Sequence, residues 1–426
     1  MTQISVAKQG KTTAQMKQVA KSEKTTGELV RRGIAAGRIV IPSNPIHAPS
    51  CLGIGKGLRV KVNANIGTSR EYCNLKEEVE KAKVAVAAGA HAVMDLSTGG
   101  DLDAIRRRLL KTVPVPFGTV PIYQAGIEAI ETRGSIVDMT ADDMFSMVEH
   151  QAKQGVDFTV VHVGITKVSV ERLCKQKRLI PMVSRGGSFH MAWILHHDQE
   201  NPFYKDFEYL LEIAKRYDVT LSLGDGMRSG ALADSNDRAK FQELLLIGEL
   251  VEKARKAGVQ TMVEGPGHMP LSDIQANIQV MKTVTSEAPY FVLGPLVTDI
   301  APGYDHFVGG IGGAFAGFCG ADFLCYVTPA EHLCLPDKHD VRDGVIATRI
   351  AAHAADLARG LDRDVDASFS AARENLDWEK MFKLCIDPTR AKEYRAKRSP
   401  SEDTKACSMC GNLCALEMVK KYLKNK

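Results

Sequence analysis

From Arg59 onward, short apolar runs alternate with longer amphipathic segments, the rhythm of parallel strands joined by crossover helices. The strand-like runs are residues 60–67, 92–96, 120–123, 158–163, 181–184, 220–224, 261–264, 290–294 and 322–327. Between them, apolar positions recur at helical spacing over residues 75–88, 141–154, 207–216, 237–257 and 272–285. The longest of these segments stops at Gly258, the residue type that ends helices in the left-handed region. Nine runs are one more than an eight-stranded barrel needs. The pattern predicts an α/β fold, a (β/α)8 barrel over residues 59–336 with one run outside the ring or merely extended. A doubly wound sheet is the alternative.

The flanks read differently. Residues 1–58 form a peripheral N-terminal layer, with a helix expected over 26–36 and a strand over 38–42 stopped by Pro42. The glycine-rich stretch 53–57 lacks the spacing of a phosphate loop and reads as a turn. Residues 337–395 read as a small antiparallel helical domain, helical over 340–359 and again over 367–384. Residues 396–426 form a tail, in which polar residues 397–405 read as a linker.

Composition narrows the class. The 426 residues are 44% hydrophobic and 25% charged, as in ordinary globular proteins, and the formal charge is only +4. No basic block points to nucleic acid, and no long apolar run points to a membrane span. The polar N-terminus has no apolar signal-peptide region. Ten cysteines, three of them clustered, fit a reducing cytoplasm better than a disulfide framework.

The clustered thiols are Cys407, Cys410 and Cys414, spaced C-x2-C-x3-C. A structural zinc site normally closes with four protein ligands. Three thiolates on an iron–sulfur cluster leave one iron open for a small molecule, as cleavage of S-adenosylmethionine requires. A zinc knuckle and free thiols are the competing readings.

Chemically versatile residues gather at the ends of the strand-like runs: Asn65, Met94 with Asp95, Tyr123, His162, Ser184-Arg185-Gly186-Gly187, Asp225-Gly226-Met227-Arg228 and Glu264. In a barrel these ends share one mouth, where active sites are built. A lone His or Asn is more often a satisfied loop residue, but seven such ends together favour a site. His268, in Glu264-Gly265-Pro266-Gly267-His268, and His332 are candidate ligands for one divalent metal, zinc or iron. Hydrogen-bonded positioning is the bland alternative for both.

The motifs Val62-Asn63-Ala64-Asn65-Ile66-Gly67, Met94-Asp95-Leu96-Ser97-Thr98-Gly99-Gly100, Ser184-Arg185-Gly186-Gly187, Glu264-Gly265-Pro266-Gly267-His268, Thr298-Asp299-Ile300-Ala301-Pro302-Gly303-Tyr304-Asp305-His306 and Cys325-Tyr326-Val327-Thr328-Pro329 resemble the thiamine pyrimidine synthase (ThiC) family. The resemblance runs from about Val40 to Cys414. It implies a homodimeric radical S-adenosylmethionine enzyme on a (β/α)8 barrel, acting on 5-aminoimidazole ribotide. By position it implies substrate contacts from Asn65, Met94, Tyr123, His162, Ser184, Arg185, Gly186, Asp225, Gly226, Met227, Arg228, Glu264 and Phe291. It implies a metal on His268 and His332, and a [4Fe-4S] cluster on Cys407, Cys410 and Cys414. Glu264 is the expected proton carrier, and Cys325 is either a radical relay or a packed thiol. Flavodoxin or ferredoxin is the expected electron donor.

Three departures bear on the product. Tyr290-Phe291 replaces the usual Phe-Tyr, Ser229 replaces a proline after Arg228, and Val308-Gly309 replaces a hydroxyl-bearing pair. Two of them, Phe291 and Val308, lose a hydroxyl; read as pocket-lining changes they make the site less polar, and a buried hydroxyl can set specificity strongly. On that ground the expected product is 5-hydroxybenzimidazole, made by a paralogue within the same family. The alternative is 4-amino-5-hydroxymethyl-2-methylpyrimidine phosphate for thiamine. Outside the family, a barrel hydrolase using Glu264, His268 and His332, or a non-catalytic binding protein, stays open.

Overall fold

A computed structural model describes residues 1–398 and 405–423, so most of the expected linker lies outside the described residues. The chain divides into two compact units, Met1–Asp356 and Leu357–Lys426.

In the first unit a two-stranded antiparallel ribbon, β1 (Ile39–Val40) and β2 (Ile54–Gly55), precedes the barrel. Helices Gln3–Lys8, Ala14–Ser22 and Gly27–Ala35 surround their own core of Ile4, Met16, Val19, Val30, Ile34 and Leu58. Gln260 ties this layer to the barrel: its carbonyl accepts the Ile41 N–H at 2.8 Å, and its amide donates to the Ile41 carbonyl at 3.1 Å.

The barrel strands are β3 (Lys61–Ile66), β4 (Ala92–Asp95), β5 (Phe117–Thr119), β6 (Phe158–Val161), β7 (Thr220–Leu223), β8 (Thr261–Gly265), β9 (Tyr290–Leu293) and β10 (Phe323–Cys325). Each pairs in parallel with its neighbours in sequence, and β10 pairs with β3 to close the ring. The strands are buried almost throughout, which is why they read as apolar runs rather than alternating ones. Gly118 leaves space inside for a large ring: a Cβ there would lie 2.3 Å from the Phe158 ring. Phe158 meets Phe323 edge-on at 6.3 Å, and Phe323 stacks on Phe291 at 4.2 Å.

Two runs differ from their sequence reading. The third strand is Phe117–Thr119, and Tyr123 sits in the first turn of helix Pro121–Arg133, which Pro121 opens at its first position. The surplus run is 181–184. Ser184 there is an N-cap whose hydroxyl accepts the Gly187 N–H at 3.1 Å, opening helix Arg185–His197. The other helices follow their periodicity. Ala141–Gln154 starts with a Thr140/Asp143 capping box and ends at left-handed Gly155, and Arg238–Ala257 ends at left-handed Gly258.

Helix Lys338–Ala358 buries Val341 and Val345 with Ile66, Val79, Val93 and Tyr326. The boundary between the compact units therefore falls near the end of this helix rather than at its start. The second unit contains helices Arg363–Glu374, Trp378–Leu384, Pro388–Lys397 and Ala415–Leu423. Residues 367–384 are not one helix, because Leu376 adopts φ 51° between two of them. Among the described residues no helix is long and apolar enough to cross a membrane.

Candidate active site

A cavity opens at the carboxyl ends of the barrel strands. It is lined by Asn65, Met94, Tyr123, His162, Arg228, Glu264, Phe291 and Cys325 among others. Eight residues singled out in the sequence therefore converge from all eight barrel segments.

Hydrogen bonds fix the seam where β3 meets β10. The Asn65 amide donates to the Cys325 sulfur at 3.0 Å, and the Asn63 amide donates to the Asn65 carbonyl at 2.8 Å. Burial pushes the Cys325 thiol up to about 12, so it stays protonated near neutral pH. Across the cavity, the Ser222 hydroxyl donates to Glu264 at 3.2 Å. Burial raises the Glu264 carboxyl to about 7, against the opposing pull of Arg228 and Ser222. A group poised there both accepts and releases a proton at physiological pH.

His162 is uncharged because burial lowers its ring well below the usual histidine range. Gly186 and Gly224 make room for that ring: a Cβ on Gly186 would lie 2.2 Å from its Cε1, and one on Gly224 would lie 3.0 Å from its Cδ2. Burial also raises the Tyr123 phenol, and the Arg185 guanidinium lies 5.0 Å from the Tyr123 ring centre. Ser184, Arg185 and Gly186 thus sit at the start of a helix, not a strand end; they do not line the cavity, but Arg185 lies over Tyr123 and Gly186 against His162. Asp225, Gly226 and Met227 form the turn that carries Arg228. The Asp225 carbonyl accepts from the Arg228 guanidinium at 3.1 Å. Met227 is fully buried and contributes its backbone.

His268 and His332 face each other with ring centres 5.2 Å apart. Each Nδ1 meets a carboxylate: His268 with Asp299 at 2.8 Å, and His332 with Asp305 at 3.3 Å. A carboxylate on one ring nitrogen leaves the other free for a metal, the usual outer-shell arrangement. Two such imidazoles are the right donor type for a divalent ion. Among the described residues no group of three or more His, Cys, Asp or Glu side chains is gathered as a metal site.

Cys407, Cys410 and Cys414 lie in the second compact unit. Their donor chemistry fits an iron–sulfur cluster. Backbone N–H groups of Met409 and Cys410 hold the Cys407 thiol below its usual value, which favours the thiolate that binds iron. Gly411 turns the chain between them at φ 50°. Helix Ala415–Leu423 follows Cys414, where the sequence reading had only a tail.

Three site-supporting residues escaped the sequence reading: Glu243 behind the Asp225–Arg228 turn, Asp299 and Asp305. Glu243 had a signal, since it lies on the apolar face of its helix with Ala239, Leu244 and Ile247. Asp299 and Asp305 had none beyond membership of a long motif.

Only one of the three departures lines the cavity. Phe291 does. Ser229 is buried behind it, donating its hydroxyl to the His268 carbonyl at 2.5 Å. Val308 packs with Leu296 and Val327. Of the two hydroxyl losses, Phe291 and Val308, only that at Phe291 therefore makes the pocket less polar.

The curated relatives overturn its conclusion. The chain is 56% identical to a phosphomethylpyrimidine synthase of Moorella thermoacetica, over 99% of this chain and 98% of that one. It is 57% identical to one from Desulforudis audaxviator over the same shares, and 55% identical to one from Methanocaldococcus jannaschii over 98% and 99%. The expectation of 5-hydroxybenzimidazole is thus corrected in favour of its alternative. Among solved structures, dihydropteroate synthases of Coxiella burnetii and Stenotrophomonas maltophilia match at TM-scores of 0.41 and 0.43, each at 11% identity, over 72% of this chain and 96% of theirs. The model of the radical SAM ThiC family matches residues 2–421, and the chain belongs to that family.

Proposed function

We propose that this radical SAM enzyme is a phosphomethylpyrimidine synthase, converting 5-aminoimidazole ribotide to 4-amino-5-hydroxymethyl-2-methylpyrimidine phosphate for thiamine. The observation that carries the reading is the cavity: it gathers Asn65, Tyr123, His162, Arg228, Glu264 and Cys325 in a chain 53–57% identical to enzymes of that name.

Cys407, Cys410 and Cys414 would hold a [4Fe-4S] cluster, which would supply the electron for reductive cleavage of the S-adenosylmethionine sulfonium. The rest falls to the cavity residues. Arg228 and Arg185 take the ribotide phosphate, whose oxygens match guanidinium forks. The start of helix Arg185–His197 presents further N–H donors to the same anion. Asn65 offers donor and acceptor to the ribotide, and neutral His162 hydrogen-bonds without adding charge. Glu264 moves protons between fragments, since its carboxyl titrates near 7. Cys325, held as a thiol against Asn65, is placed to donate a hydrogen atom. His268 and His332 would hold a divalent metal, zinc or iron, which would supply a Lewis-acid centre at the mouth.

The protein works as a homodimer in the cytoplasm, with flavodoxin or ferredoxin as electron donor. Exposed Phe307, Ile311 and Phe318 support the dimer: they form an apolar stripe on helix Asp305–Cys319 that a second copy would cover. The reading is tested by anaerobic reconstitution and mass spectrometry of the product formed from the ribotide.

A further inference from the structure

The turn that carries Arg228 is held from behind by a side chain with no role assigned so far. Glu243, on helix Arg238–Ala257, is 1% exposed. Its Oε1 accepts the Gly226 N–H at 2.9 Å, and its Oε2 accepts the Met227 N–H at 2.7 Å. Gly164 gives it room, since a Cβ there would lie 2.5 Å from the Glu243 Cγ. Both oxygens are thus committed to consecutive donors of the turn.

Burial raises the Glu243 carboxyl above the usual carboxylate range, and the neighbouring Asp225 carboxyl raises it further. Burial raises Asp225 too, against the opposing pull of Lys240, Arg228 and Arg178. Lys240 is itself engaged, donating to the Ser235 carbonyl at 3.1 Å and to Asn277 at 2.6 Å.

We propose that Glu243 is a positioning residue for the ribotide pocket, fixing the Asp225–Arg228 turn through two backbone N–H groups. The proposal rests on reading that turn as ribotide-binding. The two N–H contacts keep Arg228 aimed at the phosphate that the pocket receives.

The test is Glu243→Gln in the full-length reconstituted enzyme. The amide keeps the shape but offers one acceptor to two N–H groups. KM for the ribotide should rise about tenfold, the loss expected when a buried N–H loses its acceptor, with kcat changed less and cluster iron unchanged. If Glu243→Gln does not fold, Glu243→Asp, which keeps both acceptors on a shorter arm, should show a smaller rise of the same kind. A wild-type KM in the folded variant overturns the proposal. A wild-type enzyme that does not turn over the ribotide contradicts the assignment of substrate instead.

Discussion

Asn65 on β3 donates its amide to the sulfur of Cys325 on β10 at 3.0 Å. These are the first and last strands of the ring, joined in register with Cys325 opposite Asn63. The contact therefore exists only when the barrel has closed, and residues 260 positions apart in sequence are held at hydrogen-bond distance. Asn65→Ala should leave the fold intact but raise the KM for ribotide roughly tenfold, because the pocket loses a placed amide. Steady-state kinetics beside a circular-dichroism melt check this. An unchanged KM would reduce Asn65 to a barrel-closing residue.

Glu264 predicts a pH effect on stability. Its carboxyl is raised from 4.5 to about 7 in the folded protein, chiefly by burial. Between those values the folded state binds more protons than the unfolded one. Its contribution is therefore fully present below about 4.5 and lost as pH rises through about 7. Glu264→Gln removes this dependence. Urea midpoints at pH 5 and pH 8 should fall less with rising pH in the variant than in the wild type.

The facing imidazoles predict separable metal contents. His268→Ala or His332→Ala should lower the mononuclear metal while cluster iron stays constant, as read by elemental analysis with labile sulfide. Asp299→Asn should weaken metal binding by about 10- to 100-fold, because it loosens the carboxylate that orients the His268 ring. No change in any of the three would leave both histidines as loop residues.

The thiols predict a clean separation of cluster from fold. Cys410 is exposed in the second compact unit, while the barrel has its own core in the first. Cys410→Ala should abolish cluster absorbance and S-adenosylmethionine cleavage without moving the thermal midpoint of the barrel. Formation of 5′-deoxyadenosine at the wild-type rate in this variant would remove the cluster assignment.

The barrel was legible because parallel strands buried on both faces must read as apolar runs. Phe117–Thr119 escaped because three residues around Gly118, preceded by two prolines, carry too little pattern, and the neighbouring run 120–123 absorbed the signal. Residues 181–184 look like a strand but serve as the lead into a capped helix, and no local composition separates the two. The candidate residues converged because motif membership placed them at the mouth. What lies behind them was invisible: the support of Asp225–Arg228 by Glu243 spans 16 and 17 residues and depends on which helix face meets which turn. The product misreading has the same origin. Ser229 and Val308 were treated as lining, and only three-dimensional packing shows that they are not.

The central claim is the reaction, and the identity of the product tests it most directly. Reconstituted enzyme, reductant, S-adenosylmethionine and 5-aminoimidazole ribotide are incubated anaerobically, and the mixture is resolved by mass spectrometry. The account predicts 4-amino-5-hydroxymethyl-2-methylpyrimidine phosphate together with 5′-deoxyadenosine. Consumption of the ribotide to an unphosphorylated, fluorescent bicyclic product, or no consumption by cluster-loaded enzyme, would contradict it.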